Sequence, residues 1–196
     1  TAGKWTAGER ALPQLVLWMT FSSLSPVGGV IAAIAALLGV VGAPGRTRRA
    51  LWVAAMVAGL NAPWIVAGVM HGSGALSDAA GVDAFAAQSV GSLPLPLTLI
   101  GLGGIWNSEV VPASRLLWPG VAMTVLMLVV CASGLRPWRQ QFSKHLQFSM
   151  LGAAVVGLVV GLVGAWVPES LAWMVSNIPG AGLLRDGSRF VALVAP

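Results

Sequence analysis

A chain of 196 residues that is 57% hydrophobic and 9% charged, with a mean hydropathy of +0.84, carries too little charge to cover a water-soluble globule. Its formal charge of +5 does not point to nucleic acid, because the basic residues cluster in short connections between apolar runs, where they set membrane orientation. Those runs reach 17 to 21 residues, enough to cross about 30 Å of hydrocarbon, and lack the period-two alternation of barrel strands, so the class predicted is an all-α, polytopic transmembrane helix bundle.

The first apolar run, residues 11–24, is short for a crossing, and Ser25-Pro26 is expected to end it. Residues 27–43 follow as a span, whose eight Val, Ile and Leu residues favour insertion by roughly −2 to −5 kcal/mol before the glycines count against it. An Arg-rich connection, 44–49, leads to a span over 50–70 with Asn61 and Pro63 at mid-depth. A polar side chain at that depth faces a partner or a cavity, so Asn61 reads as an interhelical hydrogen bond beside a proline kink, with a substrate passage as the alternative.

Residues 71–115 form a long polar connection, in which 77–89 read as a short helix with Ser77 as N-cap and Asp78 in the first turn. Spans are expected at 116–135 and 149–167, separated by a second basic connection at 136–148. Cys131, alone inside an apolar run, reads as a small packing residue. Ala153, Gly157, Gly161 and Ala165 recur every four residues, a structural stripe along which a neighbour can approach closely. A polar stretch, 168–189, precedes the apparent start of another span at 190. The expectation is about five spans plus that opening, in one transmembrane segment of a longer protein, since the chain lacks an initiator Met and ends in "RFVALVAP".

Charge orients these elements. Connections 44–49 and 136–148 hold six Lys and Arg and no acid, whereas five of the six acids fall in 71–115 and 168–189. Basic residues are retained on the cytoplasmic side. The prediction is a multi-pass protein of the cell membrane, in contact with membrane lipids, with 71–115 and 168–189 facing outward. Arg185 and Arg189 run against the usual charge bias there, which calls for a partner on that side.

The two outward connections also hold the residues able to do chemistry. In "GLGGIWNSEVVPASR" (101–115) the glycines permit tight turns and close approach, and Trp106, Asn107 and Glu109 supply an aromatic face, an amide and a carboxylate. That set suits a sugar, whose ring stacks on Trp106 while Glu109 acts as general base. Against it stand the ordinary preference of Trp for membrane interfaces and a Glu109 that is simply paired with Arg115 or solvated. In "GAGLLRDGSRF" (180–190) Arg185 and Arg189 suit a phosphate head group, with Asp186 steering one of them or binding a cation. The plainer alternative is a local Arg–Asp pair beside ordinary head-group contact. His71, directly after a span, is a further substrate-binding candidate, with a proton carrier or a plain surface residue as the alternatives; with no second His or Cys near it and no cation-binding spacing in Asp78, Asp83 and Glu109, no metal site is expected.

Three stretches, "SLSPVGG" (23–29), "GLGGIWNSEVVPASR" (101–115) and "PGAGLLRDGSRFVAL" (179–193), resemble pieces of large actinobacterial polytopic membrane proteins related to the GT-C glycosyltransferases. The resemblance implies a transferase that takes a sugar from a polyprenyl-phosphate donor at the outer membrane face and passes it to a glycan acceptor in cell-envelope assembly. It also implies an acidic base in an outer loop and, often, a divalent cation. No paired-acid motif of that kind occurs here; the acids at hand are Asp78, Asp83, Glu109 and Asp186, with Glu109 and Asp186 as the catalytic candidates. The alternatives are a transporter or flippase using Asn61 and the Pro63 kink, which no internal repeat favours, and a non-catalytic scaffold.

Overall fold

The computed structural model of the chain describes residues 7–40, 46–71 and 76–194, which are helix, turn or irregular backbone with no strand among them. Among the described residues three helices are long and apolar enough to cross a membrane: Thr47–Met70, Trp118–Gln141 and Lys144–Trp166. The described chain is therefore all-helical and of membrane type. It divides into two compact units between Ala67 and Gly68.

The first unit holds α1 (Ala7–Ser22), α2 (Pro26–Val40) and most of α3 (Arg46–Met70). At 16 and 15 residues, α1 and the described α2 measure about 24 and 22 Å, less than the hydrocarbon thickness. Residues 41–43 of the expected 27–43 span lie outside the described residues. The break between α1 and α2 falls at the serine–proline signal. Pro26 opens α2, and Ser25 caps it, its Oγ accepting from Gly28 N at 3.1 Å.

Asn61 departs from the expected interhelical bond. Its Nδ2 donates back to Val57 O at 3.0 Å within α3, and its amide packs against Gly29 of α2, where a Cβ would collide with Oδ1. Three residues on, Trp64 Nε1 donates to Ser23 O at 2.9 Å, and this bond ties α3 to the α1–α2 turn. An indole reaches a carbonyl freed at a helix end, whereas the shorter amide finds its acceptor one turn back in its own helix. Pro63 is accommodated inside α3.

The second unit is built on α8 (Lys144–Trp166), preceded by the short α6 (Ala113–Leu116) and by α7 (Trp118–Gln141). Residues 136–148, read from sequence as a loop, are helical apart from a two-residue turn at Phe142 and Ser143. The turn is closed locally: Phe142 N donates to Trp138 O at 3.1 Å, and Gln147 Nε2 donates to Phe142 O at 2.7 Å. Ser143 Oγ caps α8 through Leu146 N at 3.4 Å. The basic residues thus stand on helix ends.

The face that α8 buries is Ala153, Gly157, Gly161 and Gly164. Steps of four, four and three follow the 3.6-residue turn, so Gly164 continues the stripe and Ala165 is exposed. What packs on the stripe is the 3-10 segment Gly187–Leu193, with Phe190, Val191 and Leu193 buried. A Cβ on Gly157 would strike Phe190 O, and one on Gly187 would strike Val160 O. The start of a further span expected at 190 is thus, through Leu193, a short 3-10 element laid on α8, because the two glycine surfaces let the backbones meet.

Two apolar clusters complete this unit. Val82 of α4 (Ala80–Ala84), Leu171 and Val175 of α9 (Pro168–Asn177) and Ala181 form one, and Ala87, Leu99 of α5 (Leu95–Ile100) and Val191 form the other. α8 borders both, through Val163 on the first and Leu158 and Leu162 on the second.

Candidate functional site

The residues singled out in 101–115 and 180–190 meet in the second unit by way of a third segment. α4 is five residues long, shorter than the expected 77–89 helix, and its start is fixed by Asp78 and not by Ser77: Asp78 Oδ1 accepts from Ala80 N at 2.9 Å. Ser77 instead donates its N–H to Val175 O at 3.2 Å and lies against Gly182. Val82 is buried against Leu171, Val175 and Ala181, which draws the Ala181–Leu184 turn over α4. Arg185 emerges from that turn beside Gly81, where a Cβ would lie 3.2 Å from its Nη1.

The segment after α4 is tied to the glycine-rich stretch by Gln88 N donating to Gly104 O at 3.3 Å. Gly103 N donates to Thr98 O at 2.8 Å, and Leu102 and Gly104 adopt positive φ values of 55° and 89°. These turns carry the chain round α5 and bring Trp106 to Phe85, their rings edge-on with centroids 4.7 Å apart and an interplanar angle of 72°. The other partner of Phe85 is Arg185, whose Cζ lies 4.7 Å from the ring centroid. Trp106, Phe85 and Arg185 thus form a ladder drawn from three parts of the chain.

Phe85 is the member that sequence reading passed over. Its signal was its position as the one aromatic residue in 77–89, four places after a glycine.

The other predicted residues divide sharply. Arg189 Nε pairs with Asp186 Oδ2 at 2.6 Å, and Ser188 Oγ donates to Asp186 Oδ1 at 2.8 Å. Asp186 is 8% exposed with both oxygens engaged, so it braces the turn, and the plainer reading of a local Arg–Asp pair holds for Arg189. Asn107 Oδ1 accepts from Glu109 N at 3.0 Å and caps the 3-10 turn Ser108–Val110, leaving its amide NH2 to other partners. Glu109 is exposed and makes no ion pair with Arg115. His71 stands exposed at the end of α3. Asn61 and Pro63 belong to the first unit, and Gly157 and Gly161 serve packing.

Among the described residues no three His, Cys, Asp or Glu side chains converge on a point able to hold a metal ion. With Asp186 engaged by Arg189, the residues here do not fit the divalent cation that the resemblance implies. The arrangement provides a half-buried arginine, Arg185, with no carboxylate partner among the described residues, an aromatic face next to it and an open carboxylate three residues beyond Trp106. No protein-family model, curated protein or solved structure matches the chain.

Proposed function

We propose that this chain is part of an integral membrane glycosyltransferase of the GT-C type, acting at the outer membrane face on a polyprenyl-phosphate sugar and a glycan acceptor. In this reading residues 71–115 and 168–189 face outward, and α1 and α2 complete a set of about five spans. The observation that supports it is the Trp106–Phe85–Arg185 ladder, which joins the sugar-binding residue types of one connection to the phosphate-binding type of the other.

Each group then has a role. Arg185 holds the phosphate oxygens and stabilises the charge that grows there as the bond from phosphate oxygen to the anomeric carbon breaks. Trp106 offers its face to the sugar ring. Glu109 takes the proton of the acceptor hydroxyl as its oxygen bonds to the anomeric carbon, and the polyprenyl phosphate departs.

The test is transfer activity of the complete protein in membranes, with cell-wall glycan analysis after deletion. Arg185→Ala and Glu109→Gln are each expected to lower transfer by at least about 100-fold while insertion and helix content stay unchanged. Wild-type transfer in both variants would remove the reading.

A further inference from the structure

Arg185 is unusual for a chain with so few charges. It is half-buried, yet it has no ion pair and no side-chain hydrogen bond among the described residues. Its neighbour Arg189 is neutralised by Asp186. What Arg185 has is the Phe85 ring, 4.7 Å from Cζ, and the space left by Gly81, whose Cβ would lie 3.2 Å from Nη1 and 3.4 Å from Cδ.

Phe85 is itself fixed. Its N–H donates to Gly81 O at 3.1 Å, and Trp106 packs edge-on against its ring. A ring face attracts a guanidinium without consuming its N–H donors, whereas a carboxylate occupies them. The cation is therefore held in place while its hydrogen-bonding fork remains available for an oxyanion.

We propose that Phe85 is a positioning residue: it presents Arg185 as a preorganised receptor for one phosphate group and couples that receptor to Trp106, while Arg189 takes no part. The inference rests on the reading above only in taking Arg185 to be a ligand contact. The phosphate belongs either to a lipid head group or to a soluble molecule, and the shared chemistry is the same.

The experiment uses the full chain carrying 5-fluorotryptophan, in nanodiscs, with the Trp106 fluorine resonance assigned by Trp106→Phe. In phosphatidylcholine discs, inorganic phosphate is expected to shift that resonance saturably. Phe85→Leu should weaken the response by roughly 3- to 30-fold, the range of a partly desolvated cation–π contact. Phe85→Tyr, which keeps the ring face, should restore it. Arg185→Gln should remove the response, and Arg189→Gln should leave it as in the wild type.

Discs containing phosphatidylglycerol separate the sources. A resonance already shifted there and insensitive to added phosphate identifies a lipid head group; an unshifted one that still responds identifies a soluble phosphate. The proposal is overturned if neither phosphate nor phosphatidylglycerol moves the wild-type resonance, if Phe85→Leu responds like the wild type, if Phe85→Tyr fails to restore the response, or if Arg189→Gln loses it as Arg185→Gln does. A wild-type protein that shows the phosphate response but catalyses no transfer would remove only the transferase reading. A wild-type protein that catalyses transfer but shows no phosphate response would remove only this one.

Discussion

Gly104, with φ of +89°, shows how much a single residue can decide. Only glycine adopts that backbone without strain, and a Cβ there would sit 2.6 Å from Leu99 Cδ2, at the centre of an apolar cluster. Gly104→Ala is expected to cost about 1 kcal/mol or more and to disturb Trp106 two residues later, read as a lower unfolding midpoint in detergent together with altered Trp106 fluorescence. Leu99, which is fully buried, should cost about 2–5 kcal/mol on truncation to Ala in the same assay. The glycine-rich motif was legible as a turn because glycine's freedom is local. The ladder was not, because Phe85 and Arg185 lie 100 positions apart and neither residue type announces the other.

At the scale of elements, α8 carries the clearest contrast. Gly157 and Gly152 belong to the same helix, but a Cβ on Gly157 would strike Phe190 O, whereas one on Gly152 meets nothing within 4 Å. Gly152→Ala should therefore raise thermal stability by up to about 1 kcal/mol through helix propensity alone. Gly157→Leu should lift Gly187–Leu193 off the helix and expose residues 186–189 to protease. Equal protease resistance in the two variants would show that the glycine face does not hold this segment. The stripe itself could be read from spacing, since periodicity is an intrinsic property of a helix. Its partner could not, because a small-residue face accepts any backbone of matching shape. The tight α7–α8 turn was missed for a related reason: the polar residues of 136–148 look like a loop, whereas Ser143 and Gln147 act as caps.

At the scale of the whole molecule, the distribution of basic residues predicts the side of each connection. With Cys131 replaced by Ser, a single cysteine at Ser92 should react with an impermeant maleimide in intact cells, and one at Ser143 only after lysis. Both positions are exposed, so access to reagent reports membrane side and not burial. Protection of the Ser92 position in intact cells would invert the orientation and separate the ladder from any donor outside.

Composition and hydrophobic run length determined the membrane class, the helical content, the three long apolar helices and the serine–proline break between α1 and α2. Each of these depends on the free energy of neighbouring residues with solvent, lipid or their own backbone. Only the tertiary structure decided that Asn61 packs on Gly29, that Gly187–Leu193 lies on α8, and that Trp106 and Arg185 share Phe85. Those pairings are set by which surfaces fit once distant parts of the chain have closed on one another, and shape complementarity between remote segments leaves no periodic trace in either one.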